Sequence, residues 1–337
     1  MNVPLYVTHP AAVLRRQDGR ILVTVDGELR ASIPVKGLSE VVLLGPANVT
    51  TQALCALLAE GVPVVFLRSD GRARGRLEPP DCANIERRRE QMRRSEHSEQ
   101  RQLFASWILS AKLANQRVAV QRLARRNDQS SDLRAKLEVL AKRIDAARAS
   151  LDPSQPLPSQ LGYEGTASAA YFHALRLCGG AAVKFERRER HETDPLNVLL
   201  NYTSALLRES VVGAIVAAGL DPQVGFLHET SRGRPSFAFD LMEEWRPVLS
   251  ETVALACVGL QIVRRGDLEA PREPGSAPRL SPAARARVVE RYAARLATAV
   301  TTQPGADTYR DLLFRQAIQA RDWIGGLRER YEGFRWK

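Results

Sequence analysis

Leu77-Glu78-Pro79-Pro80-Asp81-Cys82-Ala83-Asn84-Ile85-Glu86-Arg87-Arg88-Arg89 is where the texture of this 337-residue chain changes. Tandem prolines lack the backbone N–H that a strand ladder or helix interior needs, so regular structure has to stop there. Upstream the signals are those of strands. Asp-Gly pairs stand at Asp18-Gly19, Asp26-Gly27 and Asp70-Gly71, each flanked by β-branched or apolar residues. Such pairs supply the positive φ angles of a tight hairpin turn. Residues 20–25 and 29–35 pair naturally around the middle turn. Residues 40–44 and 62–67 are largely apolar runs, as in buried strands. Between them, residues 50–60 carry Ala53, Leu54, Leu57 and Leu58 at helical spacing, and Gly61 ends that helix.

Downstream the residues are helix formers. Residues 85–126 contain no Gly or Pro, which predicts long helix throughout. Pro153, Pro156 and Pro158 make residues 151–161 an irregular linker. Asp194-Pro195 opens another helix, with Asp as N-cap and Pro at the first helical position; Leu196, Leu199, Leu200, Leu206 and Leu207 form its apolar stripe. Residues 267–278 read as a loop. Ser281-Pro282 starts a helix running to about residue 300, and residues 311–323 read as the last one. The expected fold is α+β: a small N-terminal β-rich domain with one helix over residues 1–79, then a larger all-α domain over 80–337. The linker falls at about 80–85, with irregular loops at about 151–161 and 266–280. There is no internal repeat.

Charge limits the function classes. Lys and Arg number 49 against 38 Asp and Glu, a net +11, and most of the excess is arginine. The planar guanidinium fork suits phosphate oxygens, so the composition points to a polyanionic partner, nucleic acid being the commonest. No apolar run reaches the roughly 18 residues needed to span a bilayer, and the first ten residues carry no secretory pattern. Cys55, Cys82, Cys178 and Cys257 are far apart and unpaired in spacing. They read as isolated reduced thiols of a cytoplasmic protein, not as a disulfide frame or zinc site.

Three stretches carry candidate chemistry. In Gly162-Tyr163-Glu164-Gly165-Thr166-Ala167-Ser168 a carboxylate precedes an alanine-rich helix; a solvated charge favoured by the helix dipole is the simplest reading of a lone Glu there. In Gly225-Phe226-Leu227-His228-Glu229 a histidine follows an apolar approach, and a lone His is more often a hydrogen-bonded packing residue than a ligand. In Asp240-Leu241-Met242-Glu243-Glu244-Trp245-Arg246-Pro247 the acids begin where an apolar run ends. If that stretch is helical, Asp240 and Glu243 share a face, with Glu244 at its edge, and their mutual repulsion is a cost that a cation would offset. One imidazole with two or three carboxylates and no thiolate suits Mg²⁺ or Mn²⁺. Such an ion can polarise a phosphodiester, although local chemistry alone does not name the reaction.

Taken in order, these passages resemble the family of CRISPR-associated integrases, the first of the CRISPR-associated proteins. The resemblance is carried by Glu164-Gly165, by Asp194-Pro195-Leu196-Asn197 through Leu206-Leu207, by Gly225-Phe226-Leu227-His228 and by Asp240 through Pro247. It extends to Ala111-Lys112-Leu113-Ala114-Asn115-Gln116-Arg117, to Tyr309-Arg310 with Gln316, and to the apolar strand and Asp70-Gly71 turn of the N-terminal region. It therefore covers nearly the whole chain. The resemblance implies Glu164, His228 and Glu243 as metal ligands, Asp240 as the supporting catalytic acid, and Arg246 near DNA phosphate. Trp245 stands where Phe or Tyr is more usual, which should keep a ring in the core. It also implies homodimers, two of which are bridged by a small second CRISPR-associated protein in an assembly that holds a double-stranded DNA prespacer. The 3′-hydroxyls of that prespacer attack the repeat boundaries by transesterification.

The basic excess fits that setting. Residues 85–127 hold eleven Lys and Arg, Lys112 and Arg117 among them, against four Glu. Such a stripe would grip phosphate without reading bases, though about half of its arginines are expected to serve a solvated face with intrahelical ion pairs. Arg187, Arg188 and Arg190 form a second basic cluster, closer in sequence to the site. Two other readings of the chain are a repair-type structure-specific endonuclease that uses water at the same site, and a non-catalytic DNA-binding scaffold.

Overall fold

The chain turns where the Asp-Gly pairs stand. Asp18 and Gly19 have φ of 47° and 71°, and Asp26 and Gly27 of 52° and 85°, the left-handed pair that a two-residue hairpin turn requires. A computed structural model describes residues 3–79, 84–126, 130–183, 185–189, 194–271, 278–302 and 305–336. Cys82, Arg190 and part of the loop expected at 266–280 lie outside the described residues.

In chain order the strands and helices are β1 (Val3–Val7), β2 (Ala12–Gln17), β3 (Arg20–Val25), β4 (Glu28–Pro34), β5 (Leu38–Leu44), β6 (Asn48–Val49), α1 (Thr51–Ala59), β7 (Val64–Leu67) and β8 (Ala73–Leu77). The helical region follows with α2 (Ile85–Glu96), α3 (Ser98–Ala124), α4 (Ser131–Ala149), α5 (Leu157–Val183), α6 (Pro195–Ala217), α7 (Ser236–Trp245) and α8 (Glu251–Gly259). Then come β9 (Leu268–Glu269), β10 (Arg279–Leu280), α9 (Pro282–Leu296), β11 (Ala299–Thr302), β12 (Gly305–Thr308) and α10 (Tyr309–Ile324). This is the expected α+β arrangement of a β-rich N-terminal region and a mostly helical remainder. No helix among the described residues is long and apolar enough to cross a membrane.

The described residues divide into two units, Met1–Cys82 with Val263–Glu290, and Ala83–Ile262 with Arg291–Lys337. The first unit holds two four-stranded sheets, ordered β4-β3-β2-β6 and β1-β5-β7-β8. The β2–β3 and β3–β4 pairs are antiparallel hairpins, whereas β1, β5 and β7 run parallel. Leu14, Ile21, Val41, Leu43, Leu57 and Val64 are buried in one cluster, the alternately buried residues of β2 and β3 meeting the continuous apolar run of β5. Thr50 caps α1, its hydroxyl accepting the N–H of Ala53 at 3.3 Å. Residues 263–290 group with these strands. A boundary drawn from local texture cannot register such a return of the chain, because contacts between distant segments leave no local signal.

The second unit is built on α3, which packs on α4, α5 and α7. An aromatic cluster fills its centre: the ring of Phe104 lies 4.8 to 5.9 Å from those of Phe226, Phe237, Trp323 and Tyr331. Three expectations need correction. Residues 85–126 form two helices, broken where His97 is extended (φ −83°, ψ 117°). The break frees α2 to take its own direction, and the Gln91 amide meets the 221–224 turn, donating to the carbonyls of Asp221 and Val224 and accepting from the Asp221 N–H. The 151–161 linker is irregular only as far as residue 156. Pro158 falls in the first turn of α5, where its missing N–H costs nothing, so Glu164 stands two turns inside a helix rather than ahead of one. The helix begun at Pro282 stops at Leu296, and β11 and β12 pair as antiparallel strands that the sequence did not signal.

Candidate active site

Asp240 organises the first half of the site. Its carboxylate is fully buried and accepts three successive backbone N–H groups, from Phe226 (2.6 Å), Leu227 (3.0 Å) and His228 (2.8 Å). It also lies 2.8 Å from Nδ1 of His228. A carboxylate can only accept, so Nδ1 carries a proton, and in the neutral ring the lone pair is left on Nε2. The ring is partly exposed, and Nε2 has no hydrogen bond among the described residues. Gly225 makes the turn possible: a Cβ there would come within 2.6 Å of the His228 carbonyl oxygen and 2.8 Å of Ser236 Cβ.

Lys112 organises the second half. From α3 its ammonium reaches Glu164 Oε1 on α5 and Glu243 Oε2 on α7, both at 2.5 Å. All three side chains are largely buried, at 12%, 19% and 9% exposure. Glu164 Oε1 also accepts from the Ser168 hydroxyl at 2.6 Å, and Gln116 donates to that hydroxyl. Arg246, in the π-helical turn after α7, lies 3.0 Å from Glu243 Oε1. Burial pushes the Glu243 carboxyl up, but Arg246, Lys112 and His228 outweigh it and hold it at about 2. Burial likewise pushes the Lys112 ammonium down, and the two glutamates more than restore it. Glu251 belongs to the same cluster: burial pushes its carboxyl up, while the charges of Arg246, Lys112 and Arg188 pull it back.

The acidic run of α7 therefore does not form a single repelling face. Asp240 turns to the 226–228 loop, Glu243 to Lys112 and Arg246, and Glu244 to the C-terminal segment. Glu244 is fully buried, and its carboxyl accepts from Tyr331 Oη (2.6 Å), the Phe334 N–H (2.8 Å) and Gln316 Nε2 (3.3 Å). Asn115, one turn after Lys112, donates to the carbonyls of Glu244 and Phe334 and accepts the Trp336 N–H. Trp245 stacks on Phe334 at 4.3 Å, so the ring does lie in the core.

The candidate DNA-contacting residues are dispersed. Arg187 is exposed, 3.6 Å from Glu189. The Arg188 fork is engaged by the side-chain oxygens of Asn197 and Asn201 on α6. Arg117 stands 3.7 Å from Asp145 and lines a cavity of about 430 Å³ between α3 and α4, with Arg125, Arg134 and Lys142. The remaining member of that cluster, Arg190, is outside the described residues. Lys112, expected in a phosphate-gripping stripe, is instead held between two carboxylates. Sequence reading missed Ser168, Glu251 and the role of Asn115; neither Ser168 nor Glu251 stands in a pattern that marks it.

The donors available to a divalent cation are the carboxylates of Glu164 and Glu243 and the Nε2 of His228. Their chemistry fits Mg²⁺ or Mn²⁺, which favour oxygen with some imidazole. Glu243 Oε2 is buried and is paired with the Lys112 ammonium at 2.5 Å. The Lys112 nitrogen lies 2.5 Å from one oxygen of each glutamate, little beyond the ~2.1 Å of a Mg–O bond. As the side chains stand, with Lys112 between the glutamates, no three His, Cys, Asp or Glu among the described residues form a ready ligand set.

Comparison with known proteins agrees with this architecture. The family model described as CRISPR associated protein Cas1 matches residues 5–294. The CRISPR-associated endonuclease Cas1 1 of Moorella thermoacetica is 32% identical over 292 residues, which cover 86% of this chain and 84% of that protein. Among solved structures, a casposase bound to integration product matches with a TM-score of 0.81 at 20% identity, over all of this chain and 95% of that one. A Cas6-RT-Cas1–Cas2 complex matches with a TM-score of 0.81 at 22% identity, over all of this chain and 36% of that one. At such identities the two structures speak for the fold, and the family rests on the sequence matches: this chain belongs to the CRISPR-associated protein Cas1 family.

Proposed function

We propose that this chain is the DNA integrase of CRISPR adaptation, joining prespacer 3′-hydroxyl ends to repeat boundaries by divalent-cation-dependent transesterification in the cytoplasm. The observation that carries the reading is the meeting of Glu164 and Glu243 at one buried point, within electrostatic reach of His228, whose ring Asp240 orients. In this reading Glu164, Glu243 and His228 Nε2 hold Mg²⁺ or Mn²⁺. When bound, the ion would polarise the scissile phosphodiester and steady the departing alkoxide. Asp240 is the residue that orients the His228 ring and aims Nε2 at the site. Arg246 neutralises strand phosphate, and the exposed Arg187 with Arg117 and its basic neighbours contribute contacts that carry no base specificity. Transesterification exchanges one phosphodiester for another, so the chemistry needs no ATP. The same site with water as nucleophile gives the endonuclease activity for which the curated relatives are named.

The working assembly in this proposal is a homodimer, two of which are bridged by a small second CRISPR-associated protein around a DNA duplex. The fold shared with a casposase bound to integration product and with a Cas1–Cas2 complex supports that choice over a repair endonuclease. Competent side chains at all four positions, Glu164, His228, Asp240 and Glu243, disfavour a scaffold. The test is to incubate the protein, its small partner and Mn²⁺ or Mg²⁺ with a short duplex and a plasmid bearing the repeat. Joined product is expected, and Glu164→Ala or His228→Ala should abolish it with duplex binding largely intact. Nicking of branched DNA alone, under every metal and partner condition, would transfer the site to the endonuclease reading.

A further inference from the structure

We infer that Lys112 is a built-in competitor of the divalent cation, its ammonium standing between Glu164 and Glu243 until the ion displaces it. The inference rests on the functional reading above and adds to it a control on when the site fills. Lys112 Nζ lies 2.5 Å from Glu164 Oε1 and from Glu243 Oε2, so one monovalent charge bridges carboxylates from two helices. The side chain is only 12% exposed. An ammonium there has little water to turn to and would stand against the like charge of an ion bound by the same two oxygens. The two cations therefore exclude each other.

The surroundings suit an exchange. Arg246 holds Glu243 by Oε1 and leaves Oε2 to Lys112. Ser168 continues to hold Glu164 Oε1 when the lysine leaves. Both carboxylates thus stay oriented through the exchange. Lys112 has four flexible methylenes and can swing without movement of the α3 backbone, which a planar arginine at the position would not do as readily. Once displaced, the ammonium needs a new anion, and a strand phosphate entering the site is the one the reaction supplies. Ion binding and strand binding then favour each other through this residue, as linkage requires.

The test is Mn²⁺ binding by calorimetry or electron paramagnetic resonance, on full-length protein and on Lys112→Met and Lys112→Arg. Lys112→Met removes the charge at nearly constant volume and should tighten Mn²⁺ binding by about tenfold or more, whereas Lys112→Arg keeps the charge, swings less readily and should bind Mn²⁺ no more tightly than the wild type. A short duplex should tighten Mn²⁺ binding more in the wild type than in Lys112→Met, a difference that a purely structural lysine would not produce. Unchanged or weaker binding by Lys112→Met, with the wild type binding Mn²⁺ at these carboxylates, overturns the inference and leaves the proposed function standing. Absence of Mn²⁺ binding in every protein overturns both. If Lys112→Met does not fold, a crystal structure of the wild type with Mn²⁺ decides. Nζ should lie beyond 4 Å from both glutamates, and retention of its present contacts refutes the competition.

Discussion

Replacing Glu244 with glutamine should abolish a specific part of the pH dependence of stability. Glu244 follows Glu243 directly, yet faces the other way, into a fully buried pocket closed by Tyr331, Phe334 and Gln316. Two effects oppose each other there. Burial favours the neutral acid, while three donated hydrogen bonds favour the carboxylate. Burial is the larger and pushes the group from the ordinary 4.5 up to about 8. The folded chain thus keeps a proton that the unfolded chain releases. Stability from this group is complete below about 4.5 and is lost as pH rises toward about 8. One proton is worth about 1.4 kcal/mol per pH unit, so the wild type should lose on the order of 2–3 kcal/mol between about pH 5.5 and about pH 7.5 through Glu244. Glu251, also pushed up by burial, adds loss of the same sign, whereas Glu243, held at about 2, titrates below this window. The difference between wild type and Glu244→Gln isolates the one group. Urea unfolding at several pH values measures it, and the variant's slope should be shallower by the amount stated. Equal slopes in the two proteins would mean that the three donors keep Glu244 ionised, and the argument from burial would fail.

Other consequences concern the site and the segment behind it. Asp240→Asn puts an amide N–H₂ against at least one of four donors, so stability should fall by about 1–3 kcal/mol. With the His228 ring no longer held, DNA joining and Mn²⁺ affinity should drop about 10- to 100-fold, and wild-type values of both would show that the ring needs no such support. Gly333→Ala would bring a Cβ within 2.4 Å of Ala111 Cβ and 2.7 Å of Glu244 Oε2; a loss of about 1–3 kcal/mol in chemical denaturation is expected, with a change in near-ultraviolet circular dichroism from Tyr331 and Trp336. An unaltered spectrum and midpoint would place the 333 backbone away from α3. Arg246→Ala should weaken duplex binding and flatten its dependence on salt; an unchanged slope counts against a phosphate contact.

Much of this architecture is written in local chemistry. The three Asp-Gly pairs, the helical spacing of residues 50–60, the Asp194 cap and the tandem prolines each act over a few residues, so the α+β class was legible without a tertiary structure. The candidate residues Glu164, His228, Asp240 and Glu243 were legible for another reason: their order and neighbours resemble a family pattern. What local signals could not decide is direction. Three acids within five residues of one helix suggested a shared face, but a helix advances about 100° per residue, and neighbours on different sides claimed each one. Asp240 went to the turn at 226–228, Glu243 to Lys112 and Glu244 to a segment some ninety residues later. Lys112 looked like one basic residue among eleven on a phosphate-gripping stripe, and only the packing of α3 against α5 and α7 made it the ion partner of two glutamates. Periodicity and capping are properties of neighbouring residues, so sequence determines them alone. The partner of a buried charge is set by which helices meet, and that is decided only when the whole chain has folded.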